Sequence, residues 1–384
     1  MEEVVVIVGA GPSGIAIAAC LTDLSIPYLI LEREDCSASL WKKRTYNRLK
    51  LHLAKEFCSL PFVPHPPTSP TFLPKDAFIQ YLNDYVSHFN IHPHYCRSVI
   101  SASYDEVKKK WWIEATNTIS SATEVYVAEF LVVASGENNE GFIPELPGLD
   151  SFGGEIIHSS EYKLGLRYQG KEVLVVGCAN SGMEIAYDLS NFGAYASIVV
   201  RNPLHVLSKE MLHIGMQLLK FLPICIVDSF ITFLAKFEFG NFSKFGIQRP
   251  TNGPFYLKAT TGRSPVIDVG TIKKIRAGEI KVFPAISSLR GNNVIFENGG
   301  EKEFDAIIFA TGYRSSANSW LKDYKYVLNG NGMPKNSFPN HWKGQNGLYC
   351  VGLSRMGLLG ISRDAQATAN DIKMVLSKRK EKLH

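Results

Sequence analysis

Val4-Val5-Val6-Ile7-Val8 runs directly into Gly9-Ala10-Gly11-Pro12-Ser13-Gly14. The first five residues are β-branched and uninterrupted, the pattern of a parallel strand buried on both faces. Helical composition follows from Ile15 to Leu24, then a second apolar strand, Pro27-Tyr28-Leu29-Ile30-Leu31, ends on Glu32. Strand, G-x-G-x-x-G, helix, strand and acid is the grammar of a dinucleotide-binding βαβ unit. Gly9 permits a tight turn, Gly11 lets a pyrophosphate approach bare backbone, and Gly14 lets the helix pack on the sheet. The helix start, with Ala10, Pro12 and Ser13 around it, offers N–H groups and a positive dipole end to phosphate. Glu32 is suited to accept from ribose hydroxyls, and its charge repels a 2′-phosphate. The cradle therefore fits FAD or NAD rather than NADP.

The same grammar returns at Glu172-Val173-Leu174-Val175-Val176 followed by Gly177-Cys178-Ala179-Asn180-Ser181-Gly182. A helix is expected from Met183 to Phe192 and a strand at Ala196-Ser197-Ile198-Val199-Val200. Where the first cradle has Glu32, the second has Arg201, whose guanidinium offers bidentate donors to a phosphate monoester. An acid in one cradle and an arginine in the other separate FAD from NADPH. Ala179 stands where the second glycine belongs, so its methyl group projects where a pyrophosphate passes. Glu129-Phe130-Leu131-Val132-Val133-Ala134-Ser135-Gly136 and Phe304-Asp305-Ala306-Ile307-Ile308-Phe309-Ala310-Thr311-Gly312-Tyr313 echo each other at matching distances from their cradles. A whole βαβ domain is thus repeated within the chain.

The remaining composition narrows the options. The 384 residues are 45% hydrophobic and 20% charged, with net charge +5, room for two or three ordinary globular domains. Basic runs are no longer than Lys108-Lys109-Lys110, which argues against nucleic-acid binding. Seven cysteines, none in C-x-x-C spacing, give no zinc set and no dithiol redox pair, and fit a reducing, cytoplasmic compartment. No metal site is expected. The greasiest stretch, about residues 211–239, is interrupted by Lys220, Pro223, Asp228 and Lys236, so no transmembrane segment is expected.

FAD beside NADPH implies hydride transfer to a flavin. With no dithiol and no cysteine cluster to receive the electrons, molecular oxygen is the remaining simple acceptor. Here the residues carry a resemblance. Phe152-Gly153-Gly154-Glu155-Ile156-Ile157-His158-Ser159-Ser160-Glu161-Tyr162 matches F-x-G-x-x-x-H-x-x-x-Y, the fingerprint of class B flavin-containing monooxygenases. Leu40-Trp41-Lys42-Lys43-Arg44, Arg48-Leu49-Lys50-Leu51-His52-Leu53, Gly136-Glu137-Asn138, Arg249-Pro250 with Gly253-Pro254-Phe255, Pro265-Val266-Ile267-Asp268-Val269-Gly270 and Ala310-Thr311-Gly312-Tyr313 resemble the plant YUCCA family. These are the indole-3-pyruvate monooxygenases of auxin synthesis, and the resemblance runs along essentially the whole chain.

The resemblance implies an α/β fold with two Rossmann-like dinucleotide-binding domains, the NADPH domain inserted into the FAD domain. The expected boundaries are 1–165 for the first FAD segment, 166–312 for the NADPH domain with a helical insert at about 205–260, and 313–384 for the return. The return is read as a turn at Gly357–Gly360 and a helix from Asp364. The implied reaction has NADPH reduce FAD, oxygen add to give a flavin C4a-(hydro)peroxide, and that species decarboxylate indole-3-pyruvate to indole-3-acetate. Both cradles, with Trp41 and Gly312, are expected at cofactor. His52 falls where related monooxygenases place a polar side chain near the flavin, and His158 and Tyr162 are read as structural. Lys50, Arg249 and Arg263 are candidates for the substrate carboxylate, with Lys50 and His52 the expected catalytic pair. Phenylalanines between Leu212 and Phe245 either line an indole site or form ordinary core. Rival readings are N- or S-oxygenation, Baeyer–Villiger insertion, or a non-catalytic flavin-binding module.

Overall fold

The apolar run at the N-terminus becomes β1 (Glu2–Val8), followed by α1 (Pro12–Asp23) and β2 (Tyr28–Leu31). β1 and β2 pair in parallel, from Val5 beside Tyr28 to Val8 beside Leu31. The computed structural model describes residues 2–381 and consists of two units. Residues 2–44, 54–140 and 313–381 form the first. Its sheet continues through β3 (Arg97–Asp105), β4 (Lys110–Asn117) and β5 (Thr123–Val133) in the order β2-β1-β5-β4-β3. β5 is long enough to serve three partners. One edge takes β1 in parallel, and the other takes antiparallel β4 over residues 123–128 and the parallel Leu348–Cys350 strand over 131–133. β1 is thereby placed inside the sheet, which is why Val5, Val6 and Ile7 are fully buried. The unit also holds α2 (Ser39–Lys43) and α3 (Lys75–His88).

Residues 45–53 and 141–312 form the second unit. Its main sheet has five strands, all parallel, in the order 281–283, 195–199, 172–176, 306–309, 155–158, and a small antiparallel sheet of 286–290, 293–296 and 301–303 stands apart from it. The strand that feeds the second glycine turn again lies centrally, and α4 (Asn180–Asn191) follows it. α5 (Lys209–Leu218), α6 (Ile224–Phe239) and α7 (Pro254–Thr261) make the helical insert, and α8 (Thr271–Arg276) precedes the last parallel pairing. Helix dipoles and unpaired N–H groups thus point outward at the carboxyl ends of both sheets, the side where open α/β sheets hold ligands.

Three expectations need correction. Residues 141–165 belong with the second unit, because Ile156 and Ile157 form an edge strand in parallel register with Ile307 and Ile308. Residues 45–53 also leave the first unit, because Tyr46 is buried in the second unit's core and Leu49 and Leu53 pack against it. The last helix starts at Gly357, not Asp364: after α9 (Ala317–Trp320), α10 runs from Gly357 to Glu381. Gly360 sits within its first turn because a side chain there would strike the Ser354 hydroxyl, so the glycine marks close packing and not a break.

The insert depends on one buried carboxylate. Asp228 on α6 accepts from the Phe255 and Tyr256 N–H groups at 2.8 and 2.9 Å, satisfying donors that α7 leaves open at its start. Gly253 makes room for this carboxylate, since a Cβ there would overlap it. Asp228→Ala leaves one buried and one half-buried donor unmet and is expected to cost about 2 kcal/mol. Differential scanning calorimetry checks this, and an unchanged unfolding midpoint refutes the capping role.

Candidate functional site

The two glycine turns share nearly the same backbone conformation. Gly9 and Gly177 adopt φ of +107° and +112°, a region that side chains avoid. Each also lies under a neighbouring strand end: a Cβ on Gly9 would fall 2.7 Å from the Ala134 carbonyl oxygen, and one on Gly177 would fall 2.5 Å from that of Ala310. Ala134 and Ala310 are the echoed residues of the sequence repeat. At Gly14 and Gly182 a side chain would run into the Gly9 and Gly177 carbonyl groups, so each helix can return close to its strand only as glycine.

Gly11 and Ala179 cap α1 and α4 with nearly identical backbone, φ −71°, ψ −176° and φ −75°, ψ −175°. Neither cap residue satisfies the helix N–H groups with a side chain. A Cβ built on Gly11 meets nothing within 4 Å. The Ala179 methyl therefore stands in the space that the first cradle leaves open to a ligand.

Around the first turn lies a cavity of about 380 Å³, lined by Gly9, Gly11, Pro12, Ser13, Glu32 and Trp41 among others. Ala10 closes it from behind, donating its N–H to Glu32 Oε2 at 2.6 Å while Glu34 N–H reaches Oε1 at 3.0 Å. Burial pushes the Glu32 carboxyl above the usual carboxylate range, and these two N–H groups oppose the shift. Two lone-pair directions remain for hydroxyl donors such as those of a ribose. Ser135 also lines the cavity, and its buried hydroxyl has no partner within the protein, so a polar group from a ligand fits there. The lining of residues present is thus the one a dinucleotide requires.

Sequence reasoning missed the cations of this cavity. Arg33 Nη2 donates to Asn139 Oδ1 at 2.8 Å, and Arg44 Nη1 donates to the Asn139 carbonyl oxygen at 3.1 Å. Arg44 also pairs with Glu34 at 3.1 Å, and Arg97 lines the cavity while held bidentately by Glu124. Arg44 lay within the quoted Leu40–Arg44 motif, but Asn139 falls one residue past the quoted Gly136–Asn138 and gave no signal. Trp41 packs edge-on against Phe78 at 4.6 Å and lines the cavity. Gly312 is not part of this lining. It lies in the second unit, where its carbonyl oxygen accepts from His158 Nε2 and from Phe142 N–H, both at 3.0 Å.

At the second cradle, burial pushes the Cys178 thiol up, and the guanidinium groups of Arg263 and Arg201 partly offset this. Arg201 is exposed. Arg263, expected at a substrate carboxylate, instead donates to the Pro203 carbonyl at 2.9 Å and adds a second cation here. Arg249 donates to Gly240 O at 3.3 Å and lies 4.7 Å over the Phe242 ring, so the structure gives it a packing role. Ser181 lies in the first turn of α4. Among the described residues no group of side chains could hold a metal ion.

The expected catalytic histidine is part of a defined chain of hydrogen bonds within the second unit. Ile267 N–H donates to Asn180 Oδ1 at 2.8 Å, which fixes the orientation of the amide. Asn180 Nδ2 then faces His52 Nδ1 at 3.1 Å, and His52 Nε2 faces Glu184 Oε1 at 2.6 Å. Since the amide nitrogen can only donate, Nδ1 must accept and Nε2 carries the proton toward Glu184. Glu184, 2% exposed, lies four residues after Asn180 on one helix face, a spacing that sequence alone displays. Lys50 is exposed on the same segment. Arg48 stacks 4.4 Å over Tyr187 and lies 4.0 Å from Asp188, which also accepts from Tyr162 Oη at 2.6 Å and Gly165 N–H at 2.9 Å. The fingerprint residues His158 and Tyr162 thus tie the segment to the Gly312 carbonyl and to the Asp188 carboxylate.

Gly14→Ala is expected to fold poorly around the first turn and to purify with at least about tenfold less bound flavin. The visible absorbance of the purified protein relative to its aromatic absorbance measures this. Full flavin content in the variant would refute the close-approach argument.

A family model described as flavin-binding monooxygenase-like matches residues 2–368. A relative from Arabidopsis thaliana, "Probable indole-3-pyruvate monooxygenase YUCCA10", is 55% identical over 378 residues, 98% of this chain and 99% of that protein. "Indole-3-pyruvate monooxygenase YUCCA6" of the same plant is 47% identical, covering 96% of this chain and 89% of that protein. Among solved structures, a flavin-containing monooxygenase from Stenotrophomonas maltophilia superposes with a TM-score of 0.73 at 19% identity, covering 98% and 99% of the two chains. An oxidized steroid monooxygenase bound to NADP gives 0.77 at 14% identity, covering all of this chain and 86% of that one. With both glycine cradles in place and these likenesses spanning nearly its full length, the chain belongs to the flavin-binding monooxygenase-like family, in its YUCCA branch.

Proposed function

We propose that this protein is an FAD- and NADPH-dependent monooxygenase that converts indole-3-pyruvate to indole-3-acetate. The balanced reaction consumes indole-3-pyruvate, NADPH, a proton and O₂, and yields indole-3-acetate, CO₂, NADP⁺ and water. The observation that carries this reading is the pair of matched cradles that differ in the group at the end of the second strand, buried Glu32 in one and Arg201 in the other. The full-length likeness to indole-3-pyruvate monooxygenases supplies the substrate.

When bound, the reduced flavin supplies the oxygen-activating chemistry. The protein's own residues do the rest. The N-terminus of α1 and the bare backbone at Gly11 hold the FAD pyrophosphate, Glu32 accepts from its ribose, and Ser135 donates its otherwise unmatched hydroxyl. In the second cradle the turn from Gly177 to Gly182 and the start of α4 hold the NADPH pyrophosphate, and Arg201 with Arg263 takes the 2′-phosphate. The Asn180 side chain is committed to Ile267 and His52, so it contributes to NADPH through its backbone. His52 keeps one tautomer through Asn180 and Glu184 and acts as a positioned, polar group beside the second cradle. Lys50 is the exposed cation on that segment suited to a substrate carboxylate. Seven cysteines without a disulfide among them suit a cytosolic setting.

The reading is tested by reducing the purified holoprotein anaerobically with NADPH, adding oxygen and indole-3-pyruvate, and assaying indole-3-acetate and CO₂. Stoichiometric indole-3-acetate is expected, and flavin reoxidation that yields only hydrogen peroxide with all substrates refutes it. Ala179→Gly removes one methyl group from the pyrophosphate path and is expected to tighten NADPH binding about three- to fivefold. Titration of the oxidised holoprotein with NADP⁺ and NADPH measures this, and an unchanged or weaker dissociation constant contradicts the role given to Ala179.

A further inference from the structure

A buried histidine and carboxylate in the first unit take no part in the contacts described so far. Asp364 on α10 is 2% exposed, and His341, in the loop before the Leu348–Cys350 strand, is 5% exposed. His341 Nε2 faces Asp364 Oδ1 at 2.9 Å. An ionised carboxylate can only accept, so Nε2 carries the proton. The other carboxylate oxygen, Oδ2, accepts from the Gly352 N–H at 3.0 Å. One side chain thus ties together the 341 loop, the turn after the Leu348–Cys350 strand, and α10. Burying a carboxylate is costly unless it is paired and hydrogen-bonded, and these two donors meet that cost.

The stretches tied in this way build one wall of the first cradle. Gly352, Gly357, Leu358 and Ile361 all line its cavity. Gly357, Ile361 and Asp364 follow one another at intervals of four and three residues, so they share a face of α10, which packs along α1. Gly352 has φ of +80°, and a Cβ on it would fall 2.0 Å from Ser13 Oγ and 3.0 Å from the Ile361 side chain. Its backbone is therefore wedged between the glycine turn, where Ser13 stands, and α10. Asp364 supplies the acceptor that keeps it there. His341 holds the carboxylate from its other side, with the Phe338 ring stacked 5.7 Å from the imidazole.

We infer that Asp364, oriented by His341, is a positioning residue for FAD: it holds the Gly352 turn against Ser13 and so keeps this wall of the cradle preformed for the dinucleotide. The inference rests on FAD occupying the first cradle and is independent of the substrate. FAD release from the full-length holoprotein after dilution, followed by flavin fluorescence, tests it together with the visible circular dichroism of the bound flavin. His341→Gln keeps an N–H that can donate to Asp364, and its release rate is expected within about twofold of native. His341→Phe and Asp364→Ala are each expected to release FAD at least about tenfold faster and to alter the visible dichroism. Should Asp364→Ala fail to fold, the contrast between the two His341 variants decides alone. Release at the native rate from His341→Phe overturns the inference. So does faster release with unchanged visible dichroism and a lowered unfolding midpoint, because the pair would then serve stability only. Native protein that holds FAD but forms no indole-3-acetate refutes the proposed reaction and leaves this role standing.

Discussion

How closely a helix can return to the strand that feeds it governs both halves of this molecule. At Gly9 and Gly14 the backbone passes so near to itself and to Ala134 that no Cβ is accommodated, and the same holds at Gly177 and Gly182, which close on each other and on Ala310. The close approach does two things at once. It lets the helix bury its first turn on a parallel sheet, and it leaves unpaired N–H groups of that turn directed outward at one spot. An anion held there offsets the cost of leaving them without protein partners. The direction in which each helix start presents its free N–H groups follows from this one packing constraint.

The duplicated frame then diverges through a few side chains. In the first unit Glu32 is so buried that its carboxyl is pushed toward the neutral form, and it remains in place because Ala10 and Glu34 offer it backbone donors. At the matching place in the second unit an exposed guanidinium stands beside another, Arg263, drawn in by the helical insert. In the proposed reading, selection between a dinucleotide with and one without a 2′-phosphate requires no change in the backbone. It requires a change of charge at the end of one strand.

Local patterns were legible because their physics is local. A β-branched run, three glycines at fixed spacing and an acid at the end of the next strand are all set within about thirty residues. The repeat was legible for the same reason, and Ala134 and Ala310 stand where it placed them. What could not be read was pairing across distance. Nothing near Tyr46, Arg48 or His52 announces that their partners lie more than a hundred residues on, so residues 45–53 were assigned to the wrong unit. The Glu155–His158 strand was hidden by its fingerprint, whose histidine and tyrosine drew attention from the Ile156-Ile157 pair that makes it a strand. Gly360 misled in the opposite direction, since a glycine chosen for close packing inside a helix looks the same in sequence as one that ends a helix.

The histidine at position 52 shows how far geometry can refine a role that sequence only suggests. Position alone offered a polar side chain near the reacting groups, with either nitrogen available. The backbone donor at Ile267 removes that freedom: it fixes the Asn180 amide, the amide fixes Nδ1 as acceptor, and Glu184 receives the remaining proton. A ring held in this way cannot exchange its tautomer without turning the amide and stranding a buried N–H. His52 is thus a ring of fixed position and fixed tautomer within the second unit.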